Sequence, residues 1–201
     1  MILLKEVEGT KVKRAFVAAQ KMRFSRKKGK KYLPKLEKLD FLRKLTRAKR
    51  DAGKLNEKQL DKIIAGEWAK RTNAYNNSEW CLARASVKEL GVWRRAGGLP
   101  PGWTCCALDK TAFLFKKGLI NGSRLIRARS KRAIPRIVEF ADIIEKEKCL
   151  FPIVFMNRTG TCGRSWCRTK VKGDIDDGCM RSIALAMSGR KELNIYFGKP
   201  K

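Results

Sequence analysis

The chain has no histidine among its 201 residues. That excludes Ser-His-Asp and Cys-His nucleophilic pairs, histidine-bearing zinc fingers and histidine-based nuclease motifs. Any catalysis is left to carboxylate, metal, arginine or thiol chemistry. Acid is also scarce. Only 19 Asp and Glu stand against 48 Lys and Arg, for a net charge of +29. Solubility needs far less excess charge than this. The field favours a polyanionic partner: nucleic acid, nucleotide or an acidic membrane surface.

Long apolar runs are missing, so no transmembrane helix is expected. The start, Met1 to Leu4 followed by Lys5 and Glu6, lacks the shape of a signal peptide. The seven cysteines are odd in number and irregularly spaced, with no CxxC pair. Free thiols in a reducing cytoplasm are expected. A zinc site built from Cys105, Cys106, Cys162 and Cys167 would lack the paired spacing of structural zinc sites.

The positive charge runs along the whole chain. Residues 1–100 carry 27 basic and 10 acidic residues, and residues 101–201 carry 21 and 9. Two acid-free stretches stand out. Lys21 to Lys31 holds seven basic residues, and Lys110 to Arg136 holds Lys116, Lys117, Arg124, Arg127, Arg129, Lys131, Arg132 and Arg136 among others. Such runs suit phosphate tracking, where each neutralised phosphate releases counterions. Lys116, Lys117, Arg127, Arg129, Lys131 and Arg132 are the candidate contacts to DNA backbone. A solvated helix face is the plainer reading of the same residues.

Residues 1–100 read as helical and basic. Leu33, Leu36, Leu39, Leu42 and Leu45 recur at helical spacing up to Gly53. Asn56 reads as the N-cap of a second helix bearing Leu60, Ile63, Ile64 and Trp68. Ser86 and Glu89 form a capping-box pattern ahead of Leu90 and Trp93. Trp68, Trp80 and Trp93 are expected in the core. Gly97 to Gly102 is a breaker cluster, and a domain boundary is placed near it.

The second half reads as mixed α/β. Ala112–Phe115 is a short apolar run expected to be a strand. Arg136–Lys148 is expected to be an amphipathic helix, and Cys149–Met156 a buried strand with Pro152 near its start. A turn at Thr159–Gly163 and a strand at Trp166–Val171 follow. Cys179–Ser188 is a helix stopped by Gly189, and Leu193–Phe197 an alternating strand. The fold class expected is α+β: a basic helical region, 1–100, followed by a small mixed α/β domain, 101–201.

The sharpest signal is Asp176-Asp177-Gly178-Cys179-Met180-Arg181-Ser182. Acids reach a glycine, a helix opens, and its free N–H groups form an anion site to which Arg181 adds a charged fork. Gly178, Cys179, Met180, Arg181 and Ser182 are the candidate phosphate-binding residues. Asp174, Asp176 and Asp177 are candidate ligands for Mg²⁺. Asp176, Asp177, Arg181 and Glu139 are the candidate catalytic set, with Asp142 beside Glu139. An ordinary N-capped helix is the plain alternative. Trp166 and Arg168 are placed near the turn, for base stacking or for the core.

The element order around Asp177-Gly178-Cys179-Met180-Arg181, with the basic segment Arg129 to Pro135 before it, resembles the ParB/sulfiredoxin superfamily over about residues 104–200. That superfamily carries a Gly-x-x-Arg turn opening a helix. Sulfiredoxins have Gly-Cys-His-Arg there, and Met180 departs from that pattern. A Cys179 thiol at a helix N-terminus beside Arg181 is expected to have a lowered pKa. In length, charge and a helical first half the chain is most similar to small plasmid fertility-inhibition proteins of the oncogenic-suppression type. The resemblance implies ATP binding, ATPase and DNA nuclease activity, and inhibition of DNA transfer through a nucleoprotein complex. Two alternatives stand beside it: a non-enzymatic nucleic-acid-binding or packaging protein, and a Cys179-dependent thiol, redox or phosphoryl-transfer enzyme.

Overall fold

Strands form where the sequence pattern suggests only helices. The computed structural model describes residues 1–22, 37–67, 69–157, 161–162 and 169–201. The basic run beyond Met22, Leu33, Leu36, Trp68, Trp166, Cys167 and Arg168 lie outside the described residues, as do parts of the expected turn at 159–163 and strand at 166–171. The elements in order are β1 (Ile2–Val7), α1 (Gly9–Lys21), α2 (Lys38–Gly53), α3 (Glu57–Glu67), α4 (Ala69–Asn76), β2 (Ser78–Ser86), β3 (Leu90–Gly91), α5 (Leu108–Ile120), α6 (Ala128–Val138), α7 (Ala141–Lys146), β4 (Ile153–Met156), β5 (Thr161–Cys162), β6 (Thr169–Lys170), β7 (Gly173–Asp177), α8 (Cys179–Met187) and β8 (Glu192–Pro200).

The main sheet has the order β1-β2-β8-β4-β7-β3. β1, β2 and β8 run antiparallel in turn; β8 and β4 are parallel, β4 and β7 antiparallel, and β7 and β3 parallel. The class is α+β, as expected. The split into 1–100 and 101–201 is not a split of the sheet, because three strands come from each half. One apolar core also runs from Val12 and Phe16 through Ala83 and Leu108 to Ile195. The breaker cluster at 97–102 is a surface-turning loop within that body, with short 3₁₀ turns at Ala96–Gly98 and Pro101–Trp103.

α1 buries Val12, Ala15, Phe16 and Ala19, one stripe at helical spacing. Against it α2 buries Phe41, Leu45, Ala48 and Ala52. Phe41 stacks on Phe140, with ring centroids 4.4 Å apart, which ties the first half to the second. Lys13 is buried on α1 and pairs with Glu57 at 2.9 Å and Asp61 at 2.8 Å on α3. Asn56 caps α3 as expected: its Oδ1 accepts the Gln59 N–H at 2.9 Å, and Gln59 Oε1 accepts the Asn56 N–H at 3.0 Å.

Four local expectations change. Ala112–Phe115 lies inside helix α5, because its apolar run continues a helical stripe of Leu108, Thr111, Ala112 and Phe115. The helix expected over 136–148 is divided between α6 and α7, with Phe140 leaving the helical conformation (φ −109°, ψ 14°). Trp93 is 58% exposed, whereas Trp80 is buried. Ser86 and Glu89 do make reciprocal bonds, but across the turn between β2 and β3 and not at a helix start. The Glu89 carboxylate accepts the Ser86 N–H at 3.0 Å, and the Glu89 N–H donates to the Ser86 carbonyl at 2.9 Å.

Glu89 also meets Lys172 at 2.7 Å and the Met1 amino group at 2.6 Å. Burial pushes its pKa up, but Lys172, the Met1 ammonium and the Ser86 N–H outweigh it and hold the group at about 2, below its usual 4.5. The contribution is full above pH 4.5 and fades as pH falls through about 2. Glu89→Gln is therefore expected to lower neutral-pH stability by about 2 kcal/mol. It should also flatten the acid limb of urea-unfolding curves, and an unchanged acid limb would contradict the assignment.

Candidate phosphate-binding cavity

β7 delivers the acids as a strand, and only Gly178 turns. A register irregularity explains why neighbouring carboxylates reach the same end of the sheet. Ile153 pairs with Asp177, but Val154 pairs with Ile175, so Asp176 is an extra residue opposite β4. Such a bulge re-aims side chains that a regular strand would send to opposite faces. Gly178 then takes φ +89° as the N-cap of α8. A Cβ there would be strained by the backbone alone, and would lie 2.8 Å from Arg181 Nη2 and 3.2 Å from Pro152 Cα. Glycine has no side chain to cap the helix, so the first N–H groups of α8, at Cys179, Met180 and Arg181, lack a side-chain cap. Ser182 is buried and bonds back to the Gly178 carbonyl through N–H (2.8 Å) and Oγ (3.1 Å). It fixes the turn and does not point to a ligand. At the far end Gly189 has φ +92°, the C-cap geometry expected of it.

A cavity of about 340 Å³ opens at this turn. Asp176, Asp177, Gly178, Cys179, Met180 and Arg181 form one side. Arg129, Ala133 and Ile137 from α6, together with Ile144 and Leu150, form another. Ala19 and Met22 at the end of α1, Phe41 of α2, and Gly97 with Gly98 complete it. The lining thus sets two carboxylates, Asp176 and Asp177, against two guanidiniums, Arg129 and Arg181, and the rest of it, with Met22, Phe41, Ile144 and Leu150, is largely apolar. Gly97 and Gly98, read from sequence as a boundary, are a wall here, and the Ser130 hydroxyl donates to the Gly97 carbonyl to hold that wall on α6.

Both carboxylates are engaged. Arg181 Nη2 donates to Asp177 Oδ2 at 2.7 Å, and Gln20 Nε2 donates to Oδ1 at 2.9 Å. Arg71 Nε donates to Asp176 Oδ1 at 3.2 Å and lies 3.1 Å from Oδ2, and the Tyr75 hydroxyl donates to Oδ2 at 3.2 Å. Burial pushes the Asp176 pKa up, against Arg71, which lowers it, and with Asp177, which raises it further. Arg181 has a donor to spare: its Nε is buried and meets no hydrogen-bond partner among the described residues.

Several candidate residues stand elsewhere or in another state. Glu139 is 54% exposed, pairs with Arg136 at 2.6 Å, and does not line the cavity. It belongs to a solvated helix surface, as does Asp142, which pairs with Arg190. Asp174 accepts a bond from Asn157 Nδ2 at 2.6 Å, away from the other two acids. Among the described residues no three Cys, Asp or Glu side chains come together to hold a metal. Asp176 and Asp177 are already covered by an arginine each and two further donors, so this donor set does not fit Mg²⁺. The Cys179 thiol's pKa is raised, not lowered as expected. Burial pushes it up to about 12, and the neighbouring Asp177 adds to the rise. Burial likewise holds Cys149 at about 11.

Of the six candidate DNA contacts, all are exposed, and only Arg129 lines the cavity. Lys116 and Lys117 lie on α5; Arg129, Lys131 and Arg132 lie on α6, with Arg127 at its N-cap. Sequence reasoning missed Gln20, Arg71, Tyr75, Met22 and Phe41. Each sits about a hundred residues or more from the turn it serves, and no local spacing marks it. The helical stripe of α1 was the one usable signal, because Ala19 and Met22 continue it. Compared with known proteins, the chain matches no family model, no curated protein and no solved structure.

Proposed function

We propose that the chain binds a nucleoside phosphate, with ATP as the expected ligand, at the turn between β7 and α8, and nucleic acid along the exposed cations of α6. The observation that carries the first part is the N-terminus of α8, without a side-chain cap, lining one cavity together with the guanidiniums of Arg181 and Arg129. The helix N–H groups of Cys179, Met180 and Arg181 supply a cradle for phosphate oxygens, and the guanidinium adds a charged donor. Arg129 faces the same cavity and adds charge. The apolar end, with Met22, Phe41, Ile144 and Leu150, suits a base or sugar. Arg127, Arg129, Lys131 and Arg132 bind phosphate backbone without reading sequence.

The resemblance to ParB/sulfiredoxin-fold proteins of the fertility-inhibition type extends this reading to ATP hydrolysis, DNA cleavage and interference with DNA transfer in the cytoplasm. In that chemistry Arg181 and the helix N–H groups take up charge on the departing diphosphate, while Asp176 stays tied to Arg71 and Tyr75. Asp177 holds Arg181 in place. No step is routed through a metal.

A second reading has its own support. Both cavity carboxylates are tied to cationic partners, which suits a binding module that uses the nucleotide as a ligand and hydrolyses nothing. Calorimetric titration with ATP, with and without Mg²⁺, is expected to give micromolar or tighter binding, and DNA retention should weaken steeply as salt rises. ATP binding without turnover selects the binding module. Absence of any nucleotide binding would overturn the site, and salt-insensitive DNA retention would overturn phosphate contact on α6.

A further inference from the structure

The face of α5 turned away from the core combines properties that the nucleotide site does not use. Leu108, Thr111, Ala112, Phe115 and Gly118 form its buried side. On the opposite side Phe113 is 64% exposed and Ile120 is 76% exposed. Seven residues apart, they point within about 20° of each other around the helix. Lys116 flanks them on one side, and Lys110 and Lys117 on the other; all three are exposed. Just past the helix, the chain turns at Gly122 (φ +62°) and presents Arg124 and Leu125, the latter 65% exposed. The one acid of α5 is Asp109 in the first turn, half-buried and accepting the Lys110 N–H at 2.7 Å.

Physical chemistry discriminates between the polyanions that could cover this face. A nucleic-acid backbone would satisfy the lysines but would leave Ile120 and Leu125 in water, since aliphatic side chains give bases no stacking platform. A second copy would bring like charges together. An anionic bilayer matches both components: headgroups pair with the lysines, and the acyl boundary takes the three apolar side chains. We infer that Phe113 and Ile120, flanked by Lys110, Lys116 and Lys117, with Leu125 and Arg124 just past the helix, dock the protein peripherally on an anionic lipid surface. Lys116 and Lys117 then serve lipid and not DNA. Among the described residues no helix is long and apolar enough to cross a membrane, so the contact is interfacial.

Vesicle flotation tests this with two lipid mixtures: phosphatidylcholine alone, and two parts phosphatidylcholine to one part phosphatidylserine. The full chain should float with the anionic vesicles only. Phe113→Ser, Ile120→Ser and Leu125→Ser combined should cut that binding roughly tenfold or more. Retention of duplex DNA by the same variant should stay within twofold, because its cations are intact. All three positions are exposed, and a matched thermal melt verifies the fold. No flotation of the wild type overturns the proposal. So does full flotation of the triple variant, which would reduce the contact to general charge attraction. Loss of DNA retention without any vesicle binding overturns it in favour of nucleic acid.

Discussion

Replacing Arg181 by alanine is expected to weaken ATP binding by roughly thirty- to a hundredfold, equivalent to about 2–3 kcal/mol, the range for hydrogen bonds to charged groups. The guanidinium bonds Asp177 at 2.7 Å through Nη2 and lines the cavity beside the N-terminus of α8. Arg181→Lys keeps the charge but not the fork, and should recover only part of the affinity. The loss should track the phosphates. Adenosine, which meets only the apolar end, should bind the variant and the wild type alike. Equal losses for adenosine and ATP in calorimetric titrations would show that Arg181 only holds the turn together, and the phosphate site would fall.

The second large effect concerns stability. Arg71→Met is expected to cost about 3–5 kcal/mol in urea unfolding at neutral pH. Arg71 and Asp176 are only 16% and 12% exposed, and the buried Tyr75 hydroxyl donates to the same carboxylate. Arg71 also sits over the Phe16 ring, 5.3 Å from its centroid. Removing it leaves a buried carboxylate with a hydroxyl as its remaining described donor.

The sign of the accompanying pH effect follows from Asp176. Burial already raises its pKa above 3.8, and loss of Arg71 removes the main influence that lowers it. A carboxyl with a raised folded pKa binds more protons folded than unfolded, so stability falls as pH rises through that pKa. The Arg71→Met deficit should therefore shrink on acidification. Adding Asp176→Asn to Arg71→Met should restore most of the lost stability, since a neutral amide still accepts from Tyr75. A single-variant cost under about 1 kcal/mol, or no rescue in the double variant, would contradict a buried, coupled pair.

How much of this was legible beforehand depended on sequence distance. The turn at Gly178, the helix after it, its stop at Gly189 and the cap at Asn56 are local devices, and each appears where its residues stand. Pro152 ahead of β4 is of the same kind. The strands β1 and β2 were not legible. β1 is exposed along nearly its whole length, and β2 is buried on both faces over much of its length, so neither shows the alternation that marks a half-buried strand. Ser86 and Glu89 carried a true hydrogen-bonding signal with the wrong context, because the same reciprocal bonds can close a turn between strands. The glycines at 97 and 98 announced a break but not that the break would wall a cavity.

The sequence by itself determined the chemistry at hand: an overwhelming cationic excess, no histidine, and a glycine-to-arginine turn at the head of a helix. It also determined the α+β class, through periodicity in the longer elements. Only the tertiary structure decided what that chemistry is aimed at. It brought Gln20, Arg71 and Tyr75 from the first half to the carboxylates of the second, and it left Glu139 in solvent. It raised the Cys179 thiol's pKa, by desolvation and the neighbouring Asp177, where the helix N-terminus beside Arg181 suggested a lowered one. The reason is common to all of these. Charge count and capping depend on neighbours along the chain, whereas ion pairing and desolvation depend on neighbours in space, and those exist only once the sheet has joined the two halves.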